Sequence, residues 1–386
     1  MKKPIVLFMS MIALILLTSC SNPEKDYGFQ GMDSKAFFES ITLPEKLSID
    51  INLDEIRSID EAKTYKAKHV EFDKETLINA FIRNSIVEEK NWAEGPQIIA
   101  YAHNIKEILS IYDGGKSFGT ATGMKGGFAY LRVVDDTFWE KLDIVANVSF
   151  LELGFNEQHR RNSNYASYVD LEFLPYKDAL ADIRRILDIA GMPEFDVDET
   201  YSLDLRTMTS NYRLYLDNEL AEDEKRNINW TKDDESYIFS LRQLVDNIPI
   251  VNKTWQKRDG TKASAWGNPM PSTNIRLIYD NTGIRQISAY NILNIVDEIE
   301  NSNLINVFEA LSVLIENYAL TILEDDIRII SAELMFLSIP RDNTLELVPG
   351  WVFRSAKDRE VDGIAFTQYK YDVVNAITGM LYPDRW

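Results

Sequence analysis

The sequence predicts an α+β protein of antiparallel sheets with packed helices. Period-two alternation marks strands. From Lys46 to Leu53, residues Leu47, Ile49 and Ile51 fall on one side, and Ser48, Asp50 and Asn52 on the other. Amphipathic stretches at helical spacing, such as Leu180, Ile183, Leu187 and Ala190, lie between the strand segments. Glycine turns such as Asn281-Thr282-Gly283 separate neighbouring strand segments, as hairpins require. A chain of 386 residues with 45% hydrophobic and 26% charged residues has a globular composition.

In chain order, Asp33 is expected to cap a short helix through Ser40, ahead of the strand at Lys46 to Leu53. Thr64 to Phe72 reads as a second strand. Asp73 then caps a helix carrying Leu77, Ile78, Phe81 and Ile82. Gln97 to Tyr112 and Phe128 to Val134 read as strands around a Gly-rich loop, and Val145 to Phe155 as another strand. Pro175 opens a helix that Gly191 and Pro193 close. A further helix is expected over Thr207 to Glu219. Tyr237 to Leu244, Asn274 to Tyr279 and Ile284 to Tyr290 read as strands. A helix follows from Leu304, with Phe308, Leu311, Ile315 and Ile322 on one face. Glu309 and Glu316 interrupt that stretch, so it reads as a globular helix and not a membrane span. Ala332 to Ile339, Leu345 to Ser355 and Gln368 to Asn375 complete the strands. The polar stretch Leu220 to Asp234 marks a boundary. The expected organisation is a signal segment (1–19), a tether (20–31), an N-terminal α+β domain (32–165), a helical connection (166–234) and a C-terminal α+β domain (235–386).

The N-terminus addresses location. Lys2 and Lys3 precede the apolar run Ile5 to Leu17, which is short for a bilayer helix of roughly 20 residues and suits a secretory signal. Leu17-Thr18-Ser19-Cys20 then resembles a bacterial lipobox. The resemblance implies cleavage before Cys20, acylation of that cysteine, and an extracytoplasmic lipoprotein. Two acyl chains, at about 0.8 kcal/mol per buried CH₂, anchor stably. Ser21 follows the cysteine, and the choice between cell membrane and outer membrane stays open. Ser21 to Gln30 has the composition of a short tether.

Charge limits the partners. The chain carries −20, and loss of Lys2 and Lys3 takes it to −22. Such a surface repels nucleic acid and anionic headgroups; it favours a cationic or cation-bridged partner, or serves solubility alone.

The C-terminal part carries a second resemblance. A strand runs into Asp246-Asn247-Ile248-Pro249-Ile250, followed by the hairpin at Asn281-Thr282-Gly283 and a helix. Leu347-Val348-Pro349-Gly350-Trp351-Val352-Phe353 and Val374-Asn375-Ala376-Ile377-Thr378-Gly379 come last. This order resembles PepSY/FTP-type modules and YycH/YycI-like extracytoplasmic regulators, and is similar in plan to uncharacterised clostridial-type lipoproteins. Asn247 stands where those families usually have Gly. The resemblance implies a helix packed on an antiparallel sheet, and binding or regulation in the envelope.

Catalytic patterns are thin. Gly114-Gly115-Lys116-Ser117 resembles the end of a phosphate loop, but Ser110 stands where its first Gly is needed, so nucleotide binding is not expected. His69, His103 and His159 have no metal-ligand spacing; the first two read as sheet residues, and no metal or cofactor is expected. Neither Gly-x-Ser-x-Gly nor Ser-x-x-Lys occurs. Cys20, the one cysteine, would be consumed by lipid. Trp255 and Trp266 flank Lys257 and Arg258, a basic aromatic loop suited to interaction, or to anchoring against the sheet. Trp351 reads as core. The expected function is a non-catalytic envelope protein that binds or modulates another envelope protein. The alternatives are a lipoprotein that binds an extracellular peptide or glycan, and a carboxylate-based envelope hydrolase.

Overall fold

Non-local strand pairing organises this chain. The structure, a computed structural model, describes residues 32–92, 95–113, 125–134, 141, 166, 168–209, 228–252, 255–257, 268–270, 273–341, 344–361 and 364–382. The chain enters through α1 (Ser34–Ser40), β1 (Leu47–Ile49) and β2 (Glu61–His69). It crosses through α2 (Lys74–Phe81) into β3 (Ser85–Trp92), β4 (Gly95–Ala102), β5 (Ile105–Asp113) and β6 (Lys125–Val133). Then come α3 (Tyr176–Ile189), β7 (Phe195–Leu203), β8 (Ser236–Val245), β9 (Ile248–Pro249), β10 (Trp255–Lys257), β11 (Asn268–Met270), β12 (Asn274–Asp280) and β13 (Gly283–Tyr290). The path ends with β14 (Leu293–Asn303), α4 (Val307–Ala319), β15 (Ile327–Arg341), β16 (Thr344–Val361) and β17 (Ile364–Asn375).

The helices start where side chains can satisfy their free amides. Asp33 Oδ1 accepts the Ala36 amide at 2.8 Å, and Asp73 Oδ2 accepts that of Thr76 at 2.8 Å. The last helix begins at Val307, not Leu304. Asn306 accepts the Glu309 amide at 2.9 Å, Glu309 accepts the Asn306 amide at 2.8 Å, and the Leu304 amide is already committed to Asp60 O.

Nine strands form one sheet in the order β3-β4-β5-β6-β13-β12-β8-β7, with β9 added on β8. The order is a palindrome. Each half is a helix followed by four antiparallel strands, and β6 and β13, the last strand of each half, join them. Both helices cover one face over a common core that includes Phe81, Phe128, Tyr130, Ile183 and Phe239. The second sheet runs β1-β15-β16-β2-β14, with β17 on β16, and is antiparallel except for β1 against β15. Phe37 of α1, Leu311 and Leu314 of α4, and Trp351 and Phe353 of β16 meet in its core.

Sheet membership therefore cuts across the three segments read from the sequence. β8, β12 and β13 share a sheet with the first segment's strands, β13 pairing with β6, and β1 and β2 join β15–β17. Gln97 to Tyr112 is two strands, not one. His103 takes φ 54° in the tight turn between β4 and β5, so it is a turn residue and not a sheet residue. The segment 205–209 is helical, and the remainder of the helix expected over Thr207 to Glu219 lies outside the described residues, as do Val145 to Phe155 and Gly114 to Ser117.

The motifs behind the second resemblance do local structural work. Asp246 and Asn247 have φ 51° and 60°, a tight turn of primed type linking β8 to β9. Asn tolerates this left-handed conformation, so Gly is not required at 247. Gly350 pairs with Asn375 and Trp351 with Val374. The Trp351 indole donates to Ile305 O at 2.8 Å. The Asn375 carboxamide accepts the amides of Ile377 at 2.8 Å and Thr378 at 2.9 Å, shaping the last turn.

The chain passes between the sheets at 69–73 and 290–293, side by side. Val70 N donates to Ile292 O, and Ile292 N donates to Gly126 O. Gln243 clamps the same seam from β8: its Nε2 donates to Leu293 O at 2.6 Å and its Oε1 accepts the Leu293 amide at 2.9 Å. Arg242 reaches Glu333 of β15 at 2.7 Å, and Tyr65 donates to Asp246.

Candidate functional site

A pocket of about 670 Å³ opens beside the outer end of β7 and β8. Three short pieces of chain wall it: the turn at 170–172, the start of the helix at 204–209, and the 3₁₀ turn Lys232–Asp234 with Glu235 behind it. Each piece is held by side-chain bonds. Tyr237 fixes the first, accepting the Leu171 amide at 2.6 Å and donating to Leu174 O at 2.8 Å. Asp204 caps the second, accepting the Thr207 amide at 2.9 Å. Thr231 and Asp234 form a reciprocal cap on the third.

A buried ion pair stiffens that third wall. Lys141 Nζ lies 2.8 Å from Asp234 Oδ1 and 3.0 Å from Oδ2. Both groups are nearly out of solvent, and the ammonium also sits 5.9 Å from the Trp230 ring centroid.

The pocket carries charges of both signs. Lys232 hydrogen-bonds Glu172 across the mouth; that bond raises the lysine's pKa and lowers the carboxylate's. Both groups are exposed, so the pair adds little stability. Asp170 Oδ1 accepts the Tyr176 amide at 2.9 Å. Glu235 is only 8% exposed, and its Oε1 accepts the Leu205 amide at 3.0 Å. Arg206 stands exposed at the rim. Among the described residues no group of three or more His, Cys, Asp or Glu side chains could hold a metal ion. Such a pocket can select a charged organic group by ion pairing.

The residues singled out from the sequence lie elsewhere. Trp255 and Lys257 belong to β10, which among the described residues pairs with β11 in a two-stranded ribbon. Arg258, Trp266, His159 and Cys20 lie outside the described residues. His69 ends β2, half-buried against Gly126, and burial lowers its pKa. Trp351 is buried in the second sheet's core. The pocket's side chains were not singled out, because residues near 170, 205 and 235 meet only through strand pairing. The one local signal was Asp204 ahead of an expected helix.

No family model matches the chain, and no curated protein matches it. Among solved structures, it is similar to the crystal structure of an uncharacterized protein from Eubacterium rectale. The TM-score is 0.56 at 16% identity, covering 89% of this chain and 92% of that chain. At that identity the likeness shows the fold alone: mixed α+β with antiparallel sheets.

Proposed function

We propose that this chain is a lipid-anchored, non-catalytic envelope protein that binds or modulates another envelope protein. The observation that carries the reading is Lys2, Lys3, the apolar run Ile5 to Leu17 and Leu17-Thr18-Ser19-Cys20 in the order of a lipoprotein signal. The described fold begins with α1 at Ser34. The stretch from Cys20 to Ser34 spans at most about 50 Å when fully extended, which keeps the body near its membrane. The placement of α4 before β15–β17, which carry the Val348-Pro349-Gly350-Trp351 and Asn375-to-Gly379 elements, supports a PepSY/YycH-like role. The mixed-charge pocket favours a second reading, a lipoprotein that binds an extracellular ligand.

Metabolic labelling with a radioactive fatty acid, joined to crosslinking in the native envelope, tests this. The expected result is a labelled, membrane-bound chain crosslinked to one dominant envelope protein, with label and crosslink both lost in Cys20→Ser. An unlabelled wild-type chain would overturn the anchor. A labelled chain that co-purifies with a small molecule and no protein would favour the second reading.

A further inference from the structure

We propose that His69 is an acid-sensitive latch between the two sheets: its neutral ring holds the paired crossovers together, and its protonation loosens them. His69 is the last residue of β2 and pairs with Leu293, the first residue of β14. Both strands belong to the second sheet, and at these ends the chain crosses to and from the first. The backbones meet closely there. Val70 N donates to Ile292 O at 2.9 Å, Ile292 N to Gly126 O at 2.8 Å and Asn291 N to Lys125 O at 2.9 Å. The imidazole lies against Gly126 of β6, where an added Cβ would come within 2.9 Å of His69 Cβ and 3.2 Å of its Cδ2. The ring is therefore wedged between strands of both sheets.

Its surroundings suit the neutral form. Nε2 is buried and has no hydrogen-bond partner. Protonation puts an N–H on both ring nitrogens, and a charged donor at Nε2 would have nothing to accept it. The groups facing it from neighbouring elements supply no anion. β6 presents Lys125, whose charge opposes protonation. The crossover at 290–293 presents Tyr290, Asn291, Ile292 and Leu293, and β8 reaches Leu293 through the neutral Gln243. On its own chain Lys68 and Glu71 flank it, and the Asp73 carboxylate is committed to Thr76. Burial lowers its pKa and outweighs the hydrogen bond from Asn291, which favours the charged form. An opened seam thus takes up a proton more readily than the closed one. The closed seam is fully favoured above about pH 6.5 and loses that preference as pH falls below it.

Hydrogen exchange of the full chain, read by mass spectrometry at about pH 7.5 and about pH 5.5 and corrected for the intrinsic exchange rate, tests this. The expected result is a severalfold loss of protection at 69–73 and 290–293 at the lower pH, with the amides at 310–318 of α4 unchanged. His69→Gln has no charge to gain and should hold the seam equally at both. Lys125→Gln removes the opposing cation and should lessen the loss. Equal protection of the wild-type seam at both pH values, or the same loss in His69→Gln, would overturn the latch. A loss spread evenly over both sheets would mark global unfolding and overturn it as well. Where His69→Gln does not fold, the His69 ring proton resonance of the wild type decides. A midpoint below about pH 6.5 that tracks the loss of protection supports the latch, and one at or above it sinks the idea.

Discussion

Gly127 sits on β6 where that strand meets β13, and no side chain fits there. A Cβ at this position would lie 2.1 Å from Ala289 O and 2.7 Å from Tyr290 Cα, both backbone atoms with no rotamer to yield. The β6–β13 pair joins the two halves of the nine-stranded sheet, so the clash falls on the joint. Gly191 is the opposite case. Its φ is +74° and nothing lies within 4 Å of an added Cβ, so Ala there meets only the intrinsic strain of the left-handed region, about 1–2 kcal/mol. Gly127→Ala should cost more than about 3 kcal/mol, beyond ordinary overpacking. Urea denaturation of both variants checks this, and equal losses would remove the close-approach argument. Glu107 shows what spacing could not reveal. It is fully buried and accepts the amides of Arg83 at 3.1 Å and Asn84 at 3.0 Å and the Tyr130 hydroxyl at 2.8 Å. Its partners lie more than twenty residues away, and nothing local distinguishes it from the other acids of the chain.

At the scale of the element, legibility followed locality. The caps at Asp33 and Asp73 and the stop at Gly191 lie within a few residues of what they act on, and the structure places them as read. For α4, Asn306 and Glu309 form a complete box, so Asn306→Ala should cost about 1 kcal/mol. Thermal unfolding beside the exposed control Lys35→Ala checks this; equal melting temperatures for the two would show the cap to be idle. Among the strands that escaped the reading, β3, β7 and β14 are edge strands. Most of β14 is exposed, and register shifts between Ile295 and Asp297 and between Glu298 and Glu300 break its alternation. Val296 and Ile299, the residues skipped in those shifts, are about half exposed. Bulges and acids at an edge oppose pairing with another chain, and the same features erase the period-two signal that identifies a strand. The pocket was illegible for a related reason. Its walls are short turns, each locally ordinary, and only the positions of β7 and β8 bring them together.

At the scale of the whole molecule, the tyrosines tie the two sheets to alkaline pH. Tyr130 in the first sheet, Tyr65 in the second and Tyr318 on α4 are pushed far above the ordinary phenol range by burial, and each donates to a carboxylate: Glu107, Asp246 and Asp372. Tyr176 and Tyr279 are pushed up to about 12, burial again being the larger cause, with Asp182 accepting from Tyr279 at 3.0 Å. In the unfolded chain these phenols ionise near pH 10. Between about pH 10 and 12 the folded state therefore holds more protons than the unfolded state, and stability falls as pH rises. Their contribution is complete below about pH 10 and is lost through the folded values. Melting temperature should stay level up to about pH 10 and then drop steeply. Tyrosinate absorbance should rise in step with unfolding, with these residues not ionising first. Tyr279→Phe keeps the ring and removes one titrating hydroxyl, so its alkaline limb should be shallower than the wild type's. An identical limb would show that Tyr279 does not couple folding to pH. Because such pairs occur in both sheets, and Tyr65 with Asp246 bridges them, the loss should appear as one transition, not two. Separate melting of the two sheets above pH 10 would mean that the seam at Gln243, Leu293 and Tyr65 does not bind them into one cooperative unit.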